Sequence, residues 1–171
     1  QEKGKLADLK IFCLVLQHGK TERDFLKDKN YQEEMDFLVT NDKRNKFIRN
    51  LVTGLQGNTL CLFQYVEKHG QTLKEMIEEK ADDKKIFYVH GGVEAEEREK
   101  IRFITEKSDN AIIVASFGTF STGINIRNLH NIVFASPSKS RIRNLQSIGR
   151  GLRLKDNKSE ATLYDISDDL T

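Results

Sequence analysis

The chain has 171 residues, 37% of them apolar and 32% charged, with 28 Lys and Arg against 26 Asp and Glu. That length suits one ordinary domain that buries a core without disulfides or metals. No apolar stretch approaches a membrane span, and the charged start Gln1 to Lys5 lacks the apolar core of a signal peptide, so a cytoplasmic protein is expected.

Apolar runs rich in branched and aromatic residues alternate with longer charged segments. In chain order, Leu9 to Leu16, Thr59 to Tyr65, Lys85 to Val89, Ala111 to Ala115, Asn131 to Ala135 and Ala161 to Ile166 are predicted strands. Residues 17 to 30, with Gly19, Lys20, Asp24, Lys27, Asp28 and Lys29, are the least regular stretch and are expected to form a surface excursion. Tyr31 to Val39 is a predicted short helix. Asp42 to Leu55 is a second, capped by Thr40 or Asn41, with Phe47, Ile48, Leu51, Val52 and Leu55 as its apolar stripe. Glu67 to Lys80, Glu94 to Lys107 and Lys139 to Leu152 complete the predicted helices.

Strand and helix alternating in this way imply an α/β fold, a mostly parallel sheet covered on both faces by right-handed crossovers. Ligands in such folds sit outside the carboxyl ends of the strands. The segments to search are therefore His90-Gly91-Gly92, Ser116 to Asn125, and Ser136 onward. Charge points to the last of these. Residues 74 to 109 are rich in Glu and Asp, whereas 138 to 155 carry Lys139, Arg141, Arg143, Arg150, Arg153 and Lys155 without an acid, a local basic face suited to an anionic partner.

Several features carry no chemistry. Cys13 and Cys61 lie inside apolar runs without ligand-like spacing and are expected to be buried free thiols. His18, His69 and His130 have no partners at metal-ligand spacing, so no metal site is assigned. Phe63, Phe117 and Phe120 are expected as core or loop-anchoring aromatics. His18-Gly19-Lys20-Thr21 imitates the end of a phosphate-cradling loop. The full pattern needs another glycine five residues earlier, where Leu14 stands inside an apolar run. No Asp-Glu pair follows an apolar strand in the way that would hold a catalytic magnesium.

Two motifs do carry chemistry. Ala115 to Asn125 leaves a buried strand and is dense in small and hydroxylated residues, so its backbone can approach a phosphate or sugar. Gln146-Ser147-Ile148-Gly149-Arg150-Gly151-Leu152-Arg153 sets two guanidinium groups three residues apart on one helical face, beside glycines that let a ligand come close. This ordered pair resembles motifs V and VI of superfamily 2 helicases. Leu60 to Tyr65 resembles the motif IV strand, and Tyr88 to Gly92 with Arg98 is similar to the strand, turn and arginine-bearing helix that follow it. Tyr31-Gln32-Glu33-Glu34, Lys43-Arg44-Asn45-Lys46, Phe120 to Ile124 and Leu145 to Arg150 carry a closer similarity to the UvsW-type helicases of T4-like phages.

The resemblance implies a RecA-like three-layer sandwich spanning residues 1–171, the C-terminal of two motor lobes, with residues 1–30 leading in from an N-terminal lobe outside this chain. ATP and Mg2+ would be held mainly by that first lobe. Arg150 and Arg153 would neutralise charge on the transferred phosphoryl group, Gln146 would orient the helix or touch the nucleotide beside Gly149, and Gly123 and Asn125 would approach the ribose. His90, Gly91, Gly92, Ser121 and Thr122 would contact the sugar-phosphate backbone of DNA or an RNA-DNA hybrid. The distance from Ser116 to Gly123 is a residue longer than in many members, so either Ser116 or Thr119 takes the first hydroxyl position of motif V. The activity implied is ATP-dependent unwinding or branch migration in recombination, repair or replication. A stand-alone nucleic-acid binding module, or an interaction domain using the acids from Glu94 to Glu99, is the alternative.

Overall fold

The computed structural model describes residues 8–119, 126, 128–137 and 160–170. The elements in order are β1 (Asp8–Gln17), α1 (Lys20–Leu26), α2 (Tyr31–Thr40), α3 (Asp42–Gly54), β2 (Thr59–Phe63), a π-helical turn (Val66–Gly70), α4 (Gln71–Lys80), β3 (Ile86–Val89), α5 (Ala95–Glu106), β4 (Ile112–Ser116), β5 (Asn131–Phe134) and β6 (Glu160–Asp169). The six strands form one sheet in the order β1-β6-β5-β2-β4-β3, and all five pairings are parallel.

Burial of both faces follows from the residue alternation. Leu60, Leu62, Ile113, Ala115, Ile132 and Phe134 enter the core on the α5 side, where Ile101 meets them. Cys61, Phe63, Ile112, Val114 and Val133 point to the opposite face, against Ile48 and Val52 of α3 and Leu73 and Ile77 of α4. Strands wet on neither face are continuous apolar runs, which is why these segments show no polar alternation.

Helix starts are set by side chains that satisfy orphan N–H groups. At α2, Asn30 Oδ1 accepts from Glu33 N at 2.8 Å and Glu33 Oε1 accepts from Asn30 N at 3.0 Å, a capping box. At α3 the cap is Asn41, whose Oδ1 accepts from Arg44 N at 2.8 Å.

Four expectations are corrected. Lys20–Leu26 is a helix, because Glu22 caps it by accepting from Gly19 N at 2.9 Å and Leu26 is buried. Phe47 is 36% exposed and leaves the α3 stripe to Ile48, Leu51, Val52 and Leu55, since the helix turns those four toward the sheet. Glu67 to Lys80 is not one regular helix: Gly70 N donates to Tyr65 O at 2.8 Å, closing a π turn before α4 begins. Cys13 is exposed, because β1 is the edge strand and Ile11 and Val15 flank it on an uncovered face, at 46% and 57% exposure.

The amino end of the sheet is tied by buried Asn58, whose Nδ2 lies 2.8–3.0 Å from the carbonyls of Thr105, Ser108 and Asn128 and whose Oδ1 accepts from Ala111 N at 2.8 Å. Gly57 precedes it at φ +93, and a Cβ there would collide with the His130 ring. That end is locked by hydrogen bonds, and the turns at the strands' carboxyl ends leave from the other.

Candidate functional site

Because every strand runs the same way, all the carboxyl ends open on one edge of the sheet. Along that edge stand His18 after β1, Asp168 near the end of β6, Ala135 and Ser136 after β5, Gln64 after β2, the Ser116–Thr119 turn of β4, and His90-Gly91-Gly92 after β3. The structure thus sets two of the predicted segments, the turns of β3 and β4, side by side.

In the β4 turn, Ser116 Oγ and Thr119 Oγ1 are 2.7 Å apart and Thr119 N donates to Ser116 Oγ at 3.3 Å. Both residues are buried. The two candidates for the first hydroxyl position are therefore hydrogen-bonded to each other. Phe117 packs edge-on against Phe134, centroids 5.3 Å apart, and Phe63 is fully buried, so both serve the core.

In the β3 turn, His90 Nδ1 accepts from Gly92 N at 3.1 Å and the ring lies on Tyr88 with centroids 5.0 Å apart. That bond fixes the tautomer, leaving Nε2 with the proton. Gly91 and Gly92 are both exposed in a turn closed by Val93 N donating to His90 O at 2.9 Å. The turn offers backbone with little side chain at its two glycines.

The densest polar chemistry joins residues that sequence reading gave no site role, at the exit of β5 that it did mark for search. Arg44 is 2% exposed, yet its Nε and Nη2 donate to both carboxylate oxygens of Asp168 at 2.9 and 3.0 Å, and its Nη1 donates to Ala135 O at 2.6 Å. His18 Nε2 also lies 2.9 Å from Asp168 Oδ1. One turn away in space, buried His69 bridges Ser136 Oγ at 3.0 Å and Asn45 Oδ1 at 2.9 Å. Burial, aided by the Arg44 charge, pushes the His69 pKa down to about 3, so the ring is neutral. No local signal pairs these residues, because their partners are 24 to 150 positions away in the sequence.

The Gly19-Lys20-Thr21 segment is filled by its own side chains. Glu22 occupies the Gly19 N–H at the start of α1, and Lys20 Nζ pairs with Asp24 at 2.8 Å. A carboxylate stands where a phosphate would have to bind. Beside it, a cavity of about 230 Å³ is lined by His18, Glu22, Lys43, Arg44 and Phe47 among others, and each nitrogen of the Arg44 guanidinium on its wall already donates one hydrogen bond within the protein. Among the described residues, no group of three or more His, Cys, Asp or Glu side chains could hold a metal ion. No helix among them is long and apolar enough to cross a membrane.

The predicted residues Ser121, Thr122, Gly123, Asn125, Gln146, Gly149, Arg150 and Arg153, and the predicted helix Lys139 to Leu152, lie outside the described residues.

Comparison with known proteins accords with this arrangement. The chain is 39% identical over 170 residues to the ATP-dependent DNA helicase uvsW of Enterobacteria phage T4, a match covering 98% of this chain and 33% of that protein. The chain thus spans about a third of the length of the curated relative it matches. The crystal structure of T4 UvsW superposes with a TM-score of 0.83 at 37% identity, covering 95% of this chain and 33% of that one. The E. coli DEAD-box protein SrmB shares the fold at 12% identity, with a TM-score of 0.59 over 97% of this chain and 79% of its own. Residues 42–155 match the helicase conserved C-terminal domain. With a parallel RecA-like sheet, its loops gathered on one edge and that match over most of its length, the chain belongs to the helicase conserved C-terminal domain family.

Proposed function

We propose that this chain is the C-terminal motor lobe of an ATP-dependent helicase that acts on branched DNA, forks or RNA-DNA hybrids in recombination, repair or replication. The observation that carries the reading is the shared edge: the turns after β3, β4 and β5, which hold or lead into every candidate residue, leave from one side of an all-parallel sheet. The chain's share of the chemistry is charge and positioning. Arg150 and Arg153 present planar, permanently charged forks to the phosphates, with Gln146, Gly149, Gly123 and Asn125 completing the nucleotide side. His90, Gly91, Gly92, Ser121 and Thr122 hold the nucleic-acid backbone without reading bases.

ATP and Mg2+ belong mainly to a first lobe. The blocked Gly19 N–H and the paired Lys20 support this assignment, because the one phosphate-loop-like segment in the chain is engaged by Glu22 and Asp24. Lobe closure would then bring the arginines to the phosphates, and reopening would shift the backbone contacts along a strand.

In the two-lobe protein, Arg150→Ala is expected to lower ATP turnover by about three orders of magnitude or more, with nucleic-acid affinity changed about twofold at most. Arg150→Lys keeps the charge and loses the fork, so it recovers only part. Steady-state ATPase assays with fluorescence-anisotropy binding measure both. Robust Mg2+-dependent ATPase from the 171-residue chain alone would refute the half-motor reading. A uniform loss of binding with a shallower salt slope in Arg150→Ala and Arg153→Ala, and no ATPase to lose, would identify a binding module instead.

A further inference from the structure

We propose that Ser136 and His69 are positioning residues for the basic segment that follows β5, fixing where the chain leaves the sheet so that Arg150 and Arg153 meet the phosphates. The inference rests on the arginine reading above.

Strand β5 is short, Asn131–Phe134, and Pro137 follows three residues later. Proline has no N–H to donate to a ladder, so the direction of exit is decided at Ala135 and Ser136. Both are held. Ala135 N donates to Leu62 O at 2.9 Å, and Ala135 O receives Arg44 Nη1. Ser136 Oγ accepts from Gln64 N at 3.0 Å and faces His69 Nδ1 at 3.0 Å. Adjacent residues of α3, Arg44 directly and Asn45 through His69, thereby grip adjacent residues of the β5 exit.

The hydrogen-bond direction is determined throughout. Asn45 Nδ2 donates to Val39 O at 3.0 Å, which turns Asn45 Oδ1 toward His69 as an acceptor. His69 must therefore donate from Nε2 and accept at Nδ1, and the Ser136 hydroxyl donates to it while accepting from Gln64 N. A neutral ring fits this single pattern.

The arrangement is built at a cost. A buried chain of Asn, His and Ser is less favourable than apolar packing unless every member is satisfied. The ring is delivered by the π turn, with His69 N and Gly70 N both donating to Tyr65 O, and a Cβ on Gly70 would collide with the Phe63 ring. π turns inside helices recur at functional sites. Here the turn ties the exits of β2 and β5, neighbours in the sheet, through one hydroxyl.

The test uses the two-lobe protein with Ser136→Ala, Ser136→Thr, Arg150→Lys and the Ser136→Ala/Arg150→Lys pair. Ser136→Ala is expected to lower kcat for ATP about ten- to a hundredfold, with KM for ATP and nucleic-acid Kd within about twofold, and Ser136→Thr to restore most of the rate. In the Arg150→Lys background Ser136→Ala should lower kcat far less, because the group it aims is already defective. Should Ser136→Ala melt below the assay temperature, Ser136→Cys, of similar shape but weaker hydrogen bonding, takes its place. Full kcat in Ser136→Ala, or an equal drop in both backgrounds, overturns the inference while Arg150→Ala remains inactive. Full activity in Arg150→Ala overturns the arginine reading and this inference with it.

Discussion

Arg44 is the residue whose loss the fold is expected to feel most. Its guanidinium is buried against Asp168, and removing one partner of such a pair strands the other charge out of water. Arg44→Met is therefore expected to lower unfolding free energy by about 3–5 kcal/mol in urea titrations. The two thiols should differ sharply. Cys61 is wholly buried and its pKa is pushed up to about 12, whereas Cys13 is exposed, so a maleimide should label Cys13 alone in the native state and both in urea. Cys13 was legible as a strand residue but not as an exposed one. Its apolar neighbours Ile11, Leu14 and Val15 match a buried strand, and only the position of β1 at the sheet edge uncovers one side of them.

Among the elements, those with a regular period were readable from their own residues. The six strands fall within about three residues of their predicted ends, and α3 starts at the predicted cap. Asn41→Ala should cost about 1 kcal/mol, measured by chemical denaturation, because it removes the acceptor for Arg44 N. The segment from Val66 to Lys80 was not readable, since its break depends on contacts with other elements. Gly70 has ordinary right-handed helical φ and ψ, so on local grounds Gly70→Ala should stabilise by about 1 kcal/mol. The Phe63 ring in the path of a new Cβ reverses that sign, and a loss of about 1–3 kcal/mol is expected in the same assay.

For the whole molecule, stability should depend on acidity through His69. The unfolded ring takes a proton near its ordinary pKa of 6.5, the folded ring only near 3. Between those values the unfolded state holds more protons, so this contribution is complete above pH 6.5 and drains away as pH falls toward 3. Urea unfolding at pH 5 should show a stability about 2 kcal/mol below that at pH 7, at about 1.4 kcal/mol per pH unit below the unfolded pKa. A flat profile would contradict a neutral buried ring. The two ends of the sheet divide the labour, with Asn58 locking the amino end and Ser116, Ser136 and His90 lining the carboxyl end.

The sequence by itself determined the class of fold and the family, because continuous apolar runs, helix caps and the ordered pair of loop motifs are local patterns along one dimension. It also singled out the turns after β3 and β4, since strand direction follows from the alternation of elements. Only the tertiary structure decided which polar residues are buried and joined. Arg44 meets Asp168 across 124 positions, and His69 meets Ser136 across 67. Such pairs are chosen by how the layers stack, and a buried charge or ring nitrogen is tolerated only when that stacking supplies its partner.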